Sequence, residues 1–259
     1  MVAVSKSQNA KRRERVIADH FDISQCRILE IGVADDPTFF KSEADVYYMD
    51  WFSYEELYKK LVVTRPKKAA NLVEVDFVIK DSEFTKSFDE PFDLIIANHV
   101  IEHIPDLIRW MEQVKVLLKP EGLLFLSVPH KEYTFDKIRR VTTLVDVLEC
   151  YDRELSAPTL HQVFEHIYQW RPIVAKDIWE NHYEHLLSKA RFPIEEAMRR
   201  AVQATTTQPY VDVHCHVFTT ESWDKLFIEL KQLQRAPFGN AITVDIHQNC
   251  NEFYPLMSN

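Results

Sequence analysis

Glycine is nearly absent: the 259-residue chain has 3, where about 7% of positions is usual. A loop that cradles phosphates through closely approaching backbone amides needs several glycines together, so that kind of nucleotide site is excluded. Cysteine is also scarce. Cys26, Cys150, Cys215 and Cys250 are scattered and include no CxxC pair, which suits a reducing cytoplasm. No apolar run approaches the roughly 20 residues that span a bilayer, so no transmembrane segment is expected. The amino-terminal MVAVSKSQNAKRRER is basic but has no apolar stretch behind it, and no secretory leader is expected. An excess of basic charge is missing too: the net charge is −9, which argues against nucleic acid as a partner. The cluster Lys11, Arg12, Arg13 and Arg15 reads as the solvated face of a leader helix over residues 5–20.

Short apolar runs separated by helical text make up the first half of the chain. The runs are 27–31, ending before Gly32; 46–49, ending at Asp50; 72–75, ending at Asp76; 92–97, ending at Asn98 and His99; and 123–128, ending at Pro129 and His130. Helices are expected over 55–61 and, after His99, to about Leu118, the latter closed by a turn at 119–122. Strand–helix alternation at this spacing predicts an α/β fold with a mostly parallel sheet, and such sheets bind ligands beyond their strand ends. Residues 131–210 break the alternation and read as a helical cap inserted after the fifth strand, within one domain spanning 1–259. Thr143 and Asp146 form a capping box, and Pro158 is placed to open another helix. An extended segment 214–218, a helix 221–234 and a hairpin of 241–247 with 252–256 complete the reading.

Taken together, the Glu30-x-Gly32 strand end, the acidic ends of the next two strands, FDLIIANHVIEHIPD and LLKPEGLLFLSVP resemble the class I S-adenosylmethionine-dependent methyltransferases. That resemblance implies a Rossmann-like fold with seven strands, mostly parallel, and an antiparallel carboxy-terminal strand. More narrowly, HVIEHIPDLIRWM, VPHKEYTFDKIRRVTTLVDVL and HCHVFTTESW look like a bacterial subgroup of surface-polysaccharide and glycoconjugate pathways. The implied acceptor is a small or sugar-linked molecule, and the implied cofactor is S-adenosylmethionine.

The resemblance also implies roles. Gly32 lets the backbone approach the cofactor, Glu30 anchors the turn near its amino group, and Asp50 accepts from both ribose hydroxyls. Trp51 and Phe77 flank the adenine, Asp76 accepts from its amine, and Asn98 and His99 lie beside the methyl. His130, then His103 and Tyr133, are the candidate bases. Lys131, Asp136, Arg139 and Arg140 form the expected acceptor site, where the paired arginines either grip an anion or pair with acids of the cap. In the first turn the usual Glu-x-Gly-x-Gly-x-Gly is replaced by Glu30-Ile-Gly32-Val-Ala34-Asp-Asp36.

Two rival readings follow. A chain that has lost its cofactor turn would be a non-catalytic binding module. His99-x-x-Glu102-His103 fits an inverted zinc-peptidase motif, but Pro105 and the strand directly before His99 oppose the helix that it requires, so no metal is expected. An acidic, aromatic-rich surface allows a homodimer.

Overall fold

The run Arg27–Ile31 (β1) becomes a strand buried on both faces because its apolar side chains alternate into two separate cores. Asp45–Asp50 (β2) and Phe92–Asn98 (β4) flank it in parallel, with Phe77–Val78 (β3) beyond β2 and Leu118–Pro129 (β5) beyond β4. Asn240–Val244 (β6) and Glu252–Ser258 (β7) form the closing antiparallel hairpin, with β7 against β5. The computed structural model of the chain describes residues 6–64, 66, 71–80, 83–208 and 211–259. Ser5, the start of the expected leader helix, and Pro209 and Tyr210, the end of the expected cap, lie outside them. Among the described residues seven strands form one sheet in the order β3-β2-β1-β4-β5-β7-β6, the Rossmann-like arrangement that the resemblance implied.

One core packs Ile28, Tyr48, Leu94, Ile96 and Phe125 against Val16 and Ile17 of the helix Gln8–His20 (α1). The other packs Leu29, Ile31, Ile95, Ala97 and Leu124 against the helices Leu107–Leu117 (α3) and Thr220–Gln232 (α8). Each large side chain fully buried in this way contributes about 1.5–3 kcal/mol, so the strand exits rest on a rigid platform. Tyr54–Thr64 (α2) follows β2.

Between β5 and α8 lie Leu144–Asp152 (α4), Leu160–Gln169 (α5), Ala175–Trp179 (α6) and Ile194–Thr207 (α7). The Thr143 hydroxyl accepts from the Asp146 amide and the Asp146 carboxylate accepts from the Thr143 amide, so the expected capping box forms. Thr159 and Gln162 do the same directly after Pro158. Val163, Ala201, Val213 and Cys215 give this region a small core of its own.

Three expectations about local structure change. The third strand is Phe77–Val78 rather than 72–75, so Asp76 precedes it instead of ending it. The expected turn at 119–122 is the irregular start of β5, where pairing slips between Phe92–Leu118 and Leu94–Leu123. A Cβ on Gly122 would lie 2.9 Å from the Lys119 carbonyl, which explains the glycine there. Residues 214–218 are not a sheet strand; only Phe218 forms a bridge, to His130.

Candidate active site

The turn after β1 is shaped by backbone conformation before any side chain acts. Gly32 has φ +71°, and a Cβ there would lie 2.5 Å from Val100 Cγ2. Ala34 holds φ +40°, a left-handed conformation that costs a non-glycine residue about 1–2 kcal/mol. The turn therefore keeps a glycine-like backbone at both positions although one glycine is replaced. Allowing for glycine's looser unfolded state, Ala34→Gly should stabilise the chain by about 0.5–1 kcal/mol in urea denaturation. Destabilisation would show that the turn is unstrained.

Glu30 ties this turn to the exit of β4. Its buried carboxylate accepts from the Thr38 amide at 2.7 Å, the Phe39 amide at 3.4 Å and Asn98 Nδ2 at 2.7 Å. Burial pushes its pKa up to about 7 against those hydrogen bonds. Glu30 is thus an internal brace that positions Asn98. Asn98 Oδ1 is buried and has no hydrogen-bond partner among the described residues, which a buried amide rarely tolerates unless something else fills the place.

Asp50 ends β2 with its carboxylate buried, accepting from the Phe52 amide at 2.9 Å. Burial pushes its pKa up to about 6. Trp51 follows it, half-buried. Asp76, by contrast, accepts from the Tyr48 amide at 2.8 Å and from Lys41 at 2.5 Å. Its carboxylate is used in fastening the start of β3 to β2. Phe77 meets Phe88 with the rings tilted and their centroids 4.6 Å apart, packed beside the core.

A row of buried and half-buried charged groups crosses the exit of β4 and the start of β7. Arg13 donates to Glu252 through Nε at 3.1 Å and Nη2 at 2.9 Å, and Glu252 also meets His99 Nε2 at 2.6 Å. His99 has φ +53°, another strained position at a strand exit. Burial disfavours charge on its ring, but the carboxylates of Glu102 and Glu252 outweigh it and push the pKa up to about 9. Burial likewise opposes charge on His103, and Asp212 and Glu102 raise its pKa. Arg13 therefore does not belong to a solvated face. It lies three residues after Ala10 and three before Val16 on the buried stripe of α1, a spacing visible in the sequence.

His130 is buried between Tyr133 and Phe253, with ring centroids at 5.3 and 5.9 Å, and burial lowers its pKa. Its Nδ1 accepts from the Glu132 amide at 3.3 Å, capping the short turn Lys131–Tyr133. That contact occupies the lone pair a base would use. Tyr133 stacks on Trp179 at 4.5 Å. His103 instead lies 3.1 Å from Asp212, in a different cluster from His130.

The expected acceptor fork is not assembled. Arg139 is buried and donates to Asp136 at 2.9 Å and Glu165 at 3.0 Å; Arg140 grips Asp146 at 2.6 and 2.7 Å. Both pair with acids of the chain's own helical region. Lys131 Nζ donates to Glu132 and to the Lys137 carbonyl. A cavity of about 830 Å³ lies between α4, α5 and residues 215–217, lined by Arg139 and Arg140 but by none of Glu30, Asp50 or Asn98.

The zinc-peptidase geometry is absent as well. His99 precedes the single turn Ile101–His103 and faces Glu252, so the two histidines share no helical face.

A family model described as a methyltransferase domain matches residues 6–230. The chain belongs to that family. Within this methyltransferase family, 38 residues are 45% identical to a ubiquinone biosynthesis O-methyltransferase of Haemophilus ducreyi, a match covering 15% of the chain and 16% of that relative. The CcbJ methyltransferase of Streptomyces caelestis superposes with TM-score 0.35 at 16% identity, over 54% of this chain and 55% of that one. A putative zinc-dependent alcohol dehydrogenase of Rhodobacter sphaeroides gives 0.49 at 16% identity, over 100% and 91%.

S-adenosylmethionine is the cofactor that goes with this methyltransferase family, and the site's residues fit it. Asp50 offers a buried carboxylate at the β2 exit, Asn98 an unsatisfied carbonyl oxygen at the β4 exit, and the 32–34 turn lies between them in a left-handed conformation. It contains no phosphate, so the shortage of glycine is no obstacle.

Proposed function

We propose that the chain transfers a methyl group from S-adenosylmethionine to a hydroxyl oxygen of a small, sugar-linked acceptor, a precursor of surface polysaccharide or capsule. The observation that carries the cofactor half is Asp50, a carboxylate kept buried at a strand exit although burial, against the hydrogen bond from the Phe52 amide, raises its pKa to about 6. Such a group is retained against its own desolvation where a ligand uses it. The sugar-linked acceptor is supported by the resemblance of HVIEHIPDLIRWM and HCHVFTTESW to glycoconjugate methyltransferases. The self-paired Arg139 and Arg140 remove the reason to require an anionic one.

When bound, the cofactor supplies an electrophilic methyl on a sulfonium. The chain's part is to hold the ribose through Asp50, to place Asn98 at the β4 exit through Glu30, and to orient the acceptor. Activation of the acceptor falls to the cluster around Glu102, because His130 is engaged in capping a turn. Four free, buried cysteines support a cytoplasmic location.

Calorimetric titration with S-adenosylmethionine, followed by turnover assays on sugar-nucleotide precursors, tests the reading. Saturable micromolar binding and methylated product are expected. No binding at millimolar cofactor would favour the non-catalytic module instead.

A further inference from the structure

Glu102 is fully buried, yet neither of its carboxylate oxygens has a hydrogen-bond partner among the described residues. Left that way, a buried carboxylate costs several kcal/mol. Two histidine nitrogens converge on it: His103 Nε2 lies 3.9 Å and His214 Nε2 4.0 Å from the same Oε1. One donor atom from each of the three residues lies within 4.8 Å of the others.

The opposite edge of each ring faces an acid. His103 Nδ1 lies 3.1 Å from Asp212 Oδ1, and His214 Nδ1 2.6 Å from Asp136 Oδ2. At His214 the carboxylate hydrogen-bonded to Nδ1 fixes the proton there and leaves the Nε2 lone pair pointing inward, the arrangement that prepares a histidine to ligate a metal, while Asp212 stands beside His103 Nδ1 without a hydrogen bond. Asp136 is itself held by Arg139 at 2.9 Å. The two halves of the cluster are fastened together by backbone: the amides of Cys215 and His216 both donate to the Glu102 carbonyl, at 2.6 and 3.1 Å. His99 Nδ1, 3.4 Å from Glu102 Oε1, is a neighbour whose other nitrogen is committed to Glu252.

We propose that Glu102, His103 and His214 bind one divalent transition-metal ion of the zinc type. Two imidazoles and one carboxylate are the donor set such ions take. With metal–ligand bonds of about 2.0–2.1 Å the donors of a tetrahedral site stand roughly 3.4 Å apart, so the three contract by about 0.5–1.4 Å on loading. The His103 side chain is 22% exposed and gives the ion a way in. Three protein ligands leave a position open, which an acceptor oxygen would fill. That last role rests on the methyltransferase reading above; metal binding itself does not.

The test uses full-length protein stripped with chelator, titrated with Zn²⁺ by calorimetry and with Co²⁺ by visible absorption. One ion per chain and a cobalt spectrum of low coordination number are expected. His214→Ala should weaken binding at least about 100-fold. Asp212→Asn, at a side chain 45% exposed, should fold normally and still lose about 10–100-fold in affinity. The absence of saturable binding by the wild-type chain overturns the site, as does unchanged binding by His214→Ala and Asp212→Asn. S-adenosylmethionine titrated into the same stripped protein separates the two ideas. Cofactor binding without metal binding removes only the metal site, whereas metal binding without cofactor binding removes only the methyltransferase reading.

Discussion

Asp50→Ala should raise the dissociation constant for S-adenosylmethionine by a factor of about 100 or more while leaving the chain folded. Two ribose hydroxyls donating to one carboxylate are hydrogen bonds to a charged group, each contributing about 1.5–3 kcal/mol. Losing both removes at least about 3 kcal/mol, or two decades of affinity. The companion Asp50→Asn keeps an acceptor for the Phe52 amide and should bind poorly for the same reason. It should also make the free protein more stable. The carboxyl titrates near 6 in the folded chain against 3.8 unperturbed, a difference of up to about 3 kcal/mol at neutral pH. Because the folded pKa is raised, the wild-type carboxyl favours folding most when protonated, and that advantage fades as pH rises from about 4 through 6. The gain from Asp50→Asn should therefore be present at pH 7 and vanish near pH 4, which thermal melts across that range will show. Unchanged cofactor affinity in Asp50→Ala would remove the β2 exit from the binding site.

Arg13→Leu should cost about 3–5 kcal/mol of stability, the usual penalty for leaving one member of a buried ion pair alone. Glu252 would keep only Tyr254 and His99 as partners, and Asp36 in the first turn would lose its contact with Arg13. Arg13→Lys restores charge without the two-pronged contact and should recover only part of the loss. A double-mutant cycle with Glu252→Gln isolates the pair's coupling, read from urea unfolding midpoints. The row also carries a pH signature. His99 gains its carboxylate partners on folding, so the stability it contributes is complete below about 6.5 and is lost as pH rises through about 9. Glu252 is held below the usual carboxylate range by Arg13 and His99 against its burial, and its share is lost only in acid. Stability of the wild-type chain should fall on the alkaline side of 7, and Glu252→Gln should flatten that fall.

Much of the sheet was legible because β1, β4 and β5 are apolar on both faces and so appear as continuous runs in the sequence. The caps at Thr143 and Thr159 were legible because they depend on residues three apart. β3 was not. It is a two-residue edge strand within a longer apolar stretch, and its register is set by the Asp76 carboxylate capturing the Tyr48 amide. Asp50, Gly32 and Asn98 could be placed at strand exits from the apolar runs alone. The Glu102 cluster could not, because His214 arrives from 112 positions along the chain and Asp136 from 34. Only the folded backbone, with the Cys215 and His216 amides on the Glu102 carbonyl, brings those residues together. Arg13 was a different kind of failure: charge suggested exposure, while its helical position on the stripe with Ala10 and Val16 pointed inward.

From α1 to α5 buried and half-buried polar side chains alternate between acid and base: Arg13, Glu252, His99, Glu102, His214, Asp136, Arg139, Glu165. Such a row compensates itself, much as neighbouring ions do in a salt crystal, and adds little to the field felt outside. A molecule approaching from solution meets a chain of net charge −9, so polyanions are repelled at a distance. An uncharged sugar hydroxyl, or a cation heading for Glu102, meets no such barrier.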